Sequence, residues 1–86
     1  MNENEMMEIM IENTQEIAEF CVESGYENIT ADILKRVYNN HNWSNTAKSV
    51  HDLLVKYADL SDNDAWHALD TIESWCLPTP CHYSII

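Results

Sequence analysis

The chain has 86 residues, enough for one small domain and too few for two. Fifteen acidic side chains stand against four basic ones, a formal charge of −11, while 45% of the residues are hydrophobic. That charge argues against direct binding to nucleic acid or an anionic membrane, which need a basic footprint, and the apolar content argues against a disordered acidic tail.

The first predicted helix covers about 4–24. Asn2 or Asn4 can cap it, and Gly25 supplies the residue that ends helices in a left-handed conformation. Asn13-Thr14 is its weak point, where the helix can split in two. The second helix covers about 31–39, capped by Thr30, with Ile33, Leu34, Val37 and Tyr38 on one face. The third covers about 45–58 with Ser44 as cap, and Val50, Leu53, Leu54 and Tyr57 fall at helical spacing along it. The fourth covers about 62–75, with Ser61 and Asp64 forming a capping-box variant. Ala65, Trp66, Leu69, Ile72 and Trp75 make its buried stripe, and Pro78 stops it. The tail, 77–86, ends in apolar residues and is expected to pack back on the bundle.

One glycine and two prolines give too little turn chemistry for an all-β fold. The expected fold is therefore all-α: one domain over 1–86, a small bundle of four helices with a long acidic first helix and a short C-terminal tail. No apolar run is long enough to span a bilayer, and Glu3, Glu5 and Glu8 stand where a signal peptide would be basic. A cytoplasmic location follows as an expectation. Three cysteines, an odd number, are expected as free thiols in a reducing compartment.

Charge is distributed unevenly. Residues 1–30, 31–58 and 59–86 carry −8, +2 and −5. The glutamates Glu5, Glu8, Glu12, Glu16, Glu19 and Glu23 step by three or four. On a continuous helix they project within roughly 80° of one another and extend over roughly 27 Å. Like charges at this spacing cost roughly 0.2–0.5 kcal/mol per pair, and a soluble helix ordinarily mixes in lysines, which this one lacks. The bland account is a solvated face that keeps a small protein soluble. The functional account is a carboxylate ridge that binds a basic protein, either in a nucleic-acid groove or as an inhibitor docked on a basic enzyme or toxin. The other face of this helix is broadly apolar, including Met6, Met7, Met10 and Ile17, and a face that wide invites wedging between helices or a homodimer.

Cys76 and Cys81 with His82, and His67 on the preceding helix, are a candidate zinc set that lacks a second proper pair, so no metal or other cofactor is expected. A Cys76–Cys81 disulfide is geometrically feasible but disfavoured in a reducing compartment. No nucleophile elbow, phosphate loop or zinc-protease motif occurs, so the chain is not expected to be an enzyme. Trp66 and Trp75 are expected in the core, and Trp43 as a plug over the bundle end, packed on Ala47.

The expected function is that of a non-enzymatic acidic protein that inhibits or regulates a basic nucleic-acid-handling partner. Phage-encoded inhibitors of host defence, including anti-CRISPR and anti-restriction proteins that mimic DNA charge, share its size and acidity, though no motif carries the likeness. The alternatives are an immunity protein or antitoxin neutralising a basic nuclease, and a helical adaptor that binds through its apolar face.

Overall fold

A computed structural model describes residues 3–76, which form five α-helices: α1 (Glu3–Glu12), α2 (Thr14–Glu23), α3 (Ala31–Asn40), α4 (Thr46–Ala58) and α5 (Asp62–Cys76). No strand occurs among the described residues. The all-helical expectation holds, and the count is corrected from four to five because the long first helix breaks at Asn13.

Side-chain chemistry makes that break. Asn13 Nδ2 donates to the Ile9 carbonyl at 2.8 Å, and Thr14 Oγ1 lies 3.1 Å from the Met10 carbonyl and 2.8 Å from that of Ile11. Short polar side chains thus compete for carbonyls that a continuing helix would give to its own amides. Asn13 adopts φ −127°, ψ 34°, and the ladder resumes where the Ile17 amide meets the Asn13 carbonyl at 3.0 Å.

Gly25 ends α2 with φ +102°. The Tyr26 amide reaches back to the Cys21 carbonyl at 2.9 Å and the Gly25 amide to that of Val22 at 3.0 Å, the two bonds of a Schellman motif. In the following connection Ile29 is fully buried, and Asn28 Nδ2 donates to the Ala58 carbonyl at 3.2 Å. That bond satisfies an orphan carbonyl at the end of α4, where Asp59 turns left-handed at φ 55°.

Two predicted caps form as expected. Thr30 accepts from the Ile33 amide at 3.2 Å, and Ser61 accepts from the Asp64 amide at 3.1 Å. The cap of α4 is corrected by one residue, from Ser44 to Asn45, because the Asn45 amide is already held in a turn by the Asn42 carbonyl at 3.0 Å.

The core takes residues from every helix. Met6, Met7, Met10, Ile17, Leu34, Val50, Leu54 and Ile72 are among its fully or almost fully buried side chains. Each such burial contributes roughly 1.5–3 kcal/mol. α1 packs on α3, α4 and α5, and α2 packs on α3 and α5. Met6, Met7, Met10 and Ile17 on the apolar face of 4–24 are therefore covered by the same chain, while Val22 on its flank stays 45% exposed.

Two tryptophans depart from their expected places. Trp66 is 38% exposed and stacks flat on His51, with ring centroids 4.2 Å apart. Trp43 is 44% exposed and does not plug the bundle; it meets Tyr38 edge-on at 5.7 Å and His41 at 4.2 Å. The expected packing of the tail, 77–86, lies outside the described residues.

Candidate acidic docking surface

Glu5, Glu8 and Glu12 are exposed on α1, and Glu16, Glu19 and Glu23 are exposed on α2. The buried positions Met6, Met7 and Met10, followed by Thr14, Ile17, Ala18 and Cys21, hold the opposite face of both helices against the core. The break at Asn13 thus divides the ridge into two triplets without turning either one inward. The single straight row of 27 Å is replaced by two shorter rows.

Among the described residues, Glu8, Glu12, Glu16, Glu19 and Glu23 form no ion pair with a basic side chain. Glu19 accepts only a hydrogen bond from Gln15 Nε2, at 3.3 Å. Every Lys and Arg stands on α3 or α4. Arg36 is engaged with Asp32 at 3.4 Å and Lys48 with Asp52 at 2.8 Å, while Lys56 lies 5.5 Å from the Tyr57 ring centroid. The last turn of α2 contains no cation, so the negative end of its dipole adds to the charge of Glu19 and Glu23.

A groove of about 560 Å³ runs between α2 and the start of α3. Its apolar lining is Ala18, Val22, Ile29 and Ala31. Glu19, Glu23 and Asp32 rim it, and no basic residue lines it. Val22 is 45% exposed there, whereas Ala18 and Ile29 are buried. Sequence reasoning missed this site because Ile29 and Ala31 meet Val22 only through the packing of α2 on α3. The available signal was Val22 itself, an apolar residue between Glu19 and Glu23 on the flank of the acidic row.

The remaining polar clusters are tied into the fold. His51 is 3% exposed: Nδ1 lies 2.9 Å from Asp52 Oδ1, and Nε2 lies 2.9 Å from Asp62 Oδ1 and 3.1 Å from the Asp62 carbonyl. It thereby fastens α4 to the start of α5. His41 is also buried, with Nδ1 2.7 Å from the Tyr38 carbonyl, and its Nε2 finds no partner among the described residues.

Cys21 and Cys76 are buried and free. Burial pushes the Cys21 thiol up to about 11. Burial, helped by the neighbouring Cys21 and Glu73, pushes Cys76 up to about 12. Both are held as thiols, the form that neither attacks nor ligates readily. No group of three metal-ligating side chains comes together among the described residues; Cys81 and His82 lie outside them, and His67 is exposed on α5. No helix of the described residues is long and apolar enough to cross a membrane. Comparison with protein-family models, with curated proteins and with solved structures finds no match.

Proposed function

We propose that the chain is a non-enzymatic acidic binding protein that docks on a basic, nucleic-acid-handling protein and inhibits or regulates it. One observation carries this: the exposed faces of α1 and α2 present six glutamates, five of which have no cationic partner among the described residues, while the chain's cations sit on other helices. Such a face is repulsive within itself, and a cationic surface supplies the missing counter-charge. Within each triplet the charges step by about 4.5–6 Å along the axis, loosely comparable with the phosphates of a nucleic-acid strand. A groove shaped to hold nucleic acid is thus a fitting target, and inhibition by charge mimicry, as in a phage-type inhibitor of host defence, is the finer form of the proposal.

The test reverses Glu12, Glu16 and Glu19 together to Lys. The unaltered protein is expected to capture a nucleic-acid-binding protein from a bacterial lysate at low salt, to release it in a salt step, and to lose it to competing nucleic acid. The reversed protein, with its helicity intact by circular dichroism, is expected to capture none. Unchanged capture by the triple variant would overturn the proposal.

A helical adaptor remains the second reading because Val22, Trp43 and Trp66 leave apolar area exposed. Met10 and Ile17 are fully buried, so polar substitutions there report on folding. An adaptor would bind independently of salt and respond to changes at the exposed apolar residues alone.

A further inference from the structure

We infer that the groove between α2 and the start of α3 receives a short basic amphipathic helix of the partner, with an apolar side chain seated on Val22 and Ile29 and cationic side chains reaching Glu19, Glu23 and Asp32. This rests on the proposal that the partner is a basic protein. It adds where the contact is centred and the apolar chemistry it requires.

A docked helix inserts only one face, the side chains of a turn or two. The groove offers about 560 Å³. Its apolar character matches such a face. Ala18 and Ile29 provide a buried floor, while Val22 stands 45% exposed beside them, leaving an apolar surface to be covered.

Charge selects the occupant. Three carboxylates rim the groove, no cation lines it, and Gln15 and Thr30 are its only other polar lining residues. The negative end of α2, whose last turn holds no cation, lies at Glu23. The positive end of α3 enters at Thr30, where Asp32 in the first turn offsets it. Asp32 is shared with Arg36, but both side chains are well exposed, at 76% and 62%, and an exposed pair of this kind exchanges readily for another cation. The chain's own residues 77–86 contain no Lys or Arg, so they do not match the rim. An apolar anchor ringed by cations satisfies floor and rim together, and contact centres of this type carry most of an interface's affinity.

The probe is a fluorescein-labelled, end-blocked peptide of about four helical turns with Leu at i and i+4, Lys on the flanking positions and Ala elsewhere. Two controls keep half of its chemistry: one replaces Leu by Ser, the other replaces Lys by Gln. Anisotropy titration with the full chain is expected to show saturable binding of the Leu/Lys peptide and binding weaker by about tenfold or more for each control. Val22→Asn, which is neutral and exposed, is expected to weaken the Leu/Lys peptide by about tenfold with circular dichroism unchanged. Asp70→Asn, exposed on α5 and lining neither the groove nor the glutamate ridge, is expected to change it by less than about twofold at physiological salt.

Equal binding of the Ser control, or no effect of Val22→Asn, would overturn the groove while leaving docking by charge in place. Failure of the Leu/Lys peptide to bind would also overturn it. Nuclear Overhauser contacts from the Ile85 or Ile86 methyls to Val22 in the free protein would give the groove to the chain's own end and overturn it in the same way. The proposal of a basic partner fails separately, on the triple reversal of Glu12, Glu16 and Glu19.

Discussion

On α3 and α4 an exposed carboxylate has a cation one helical turn away: Asp32 meets Arg36 at 3.4 Å, and Asp52 meets Lys48 at 2.8 Å. On α2 the residue three positions beyond Glu16 is Glu19, and the one four positions beyond that is Glu23, so each carboxylate has another at helical spacing and none has a cation there. The same chain therefore builds two kinds of polar face. One is internally balanced and fits a helix that only has to stay in water. The other is internally repulsive at roughly 0.2–0.5 kcal/mol per neighbouring pair, so its arrangement is not explained by the stability of the helix that carries it. Overall acidity does not account for the difference, since four well-placed lysines would have relieved the ridge while leaving the chain acidic.

Beneath those faces the two regions share one core, and the largest expected effect tests that. Ile17→Ala should lower unfolding free energy by roughly 2–5 kcal/mol in urea denaturation. The loss should not depend on protein concentration, because Ile17 is already fully buried within one chain. A concentration-dependent midpoint would instead mean that α1 and α2 complete their burial against a second copy.

His51→Ala comes next, at roughly 1–3 kcal/mol. It removes the contacts that join Asp52 on α4 to Asp62 at the start of α5, and it takes away the ring on which Trp66 stacks. Trp66 fluorescence should shift to the red in the folded variant as its ring loses that cover. An unchanged spectrum and midpoint would make the His51 contacts incidental to the balanced half of the molecule.

These residues also mark how far the sequence could be read. Thr30 and Ser61 were legible because a cap depends on its own side chain and the next turn, and Gly25 because only its backbone freedom matters. Asn13-Thr14 was legible as a weak point because the break is made by their own side chains, whereas the burial of Met10 and Ile17 on either side of it depends on the packed helices. Periodicity showed that Met6, Met7, Met10 and Ile17 share a face. It could not show that α3, α4 and α5 would cover that face completely, so a second chain was an open expectation. Trp66 fell on the apolar stripe of its helix, yet its ring is held at the surface by His51, a partner fifteen positions away that no local pattern announces. The groove was the least legible feature, because Val22 and Ala31 belong to different helices and meet only in the packed molecule.

The ridge itself should respond to neutralisation in the direction opposite to its counterpart. Glu19→Gln removes repulsion with Glu16 and Glu23 on the same helix and should raise stability by roughly 0.4–1 kcal/mol at low salt. The gain should shrink as salt screens the remaining charges. Arg36→Gln on α3 removes an attractive contact with Asp32 and should lower stability by roughly 0.2–0.5 kcal/mol. If both substitutions changed stability in the same sense, the division into a repulsive and a balanced face would not hold.

The smallest effects are the most direct check on sign, and they come from two carboxylates in opposite surroundings. Asp52 is held below its ordinary range, chiefly by its hydrogen bond from Lys48 and then by that from His51. Glu73 on α5 is raised, chiefly by partial burial and then by the negative charges of Asp70 and Glu3, the latter on the acidic side of the molecule. A depressed carboxylate contributes stability above its unfolded value, near pH 4, and that contribution is lost as pH falls through its folded value. A raised carboxylate does the reverse. Its contribution is complete below its unfolded value and is lost as pH rises through the folded one, so ionised Glu73 works against the fold at neutral pH. Asp52→Asn should therefore lower the thermal midpoint at pH 7, and Glu73→Gln should raise it. On acidification the Glu73→Gln gain should vanish first, once the unaltered glutamate is itself protonated. The Asp52→Asn loss should persist to lower pH, because Lys48 and His51 keep that carboxylate ionised longest. Midpoints of the three proteins between pH 7 and pH 3 would show the two curves converging on the unaltered protein from opposite sides. Convergence from the same side would mean that partial burial and the neighbouring charge of Asp70 do not work against ionised Glu73, and that the two carboxylates do not stand in opposite surroundings.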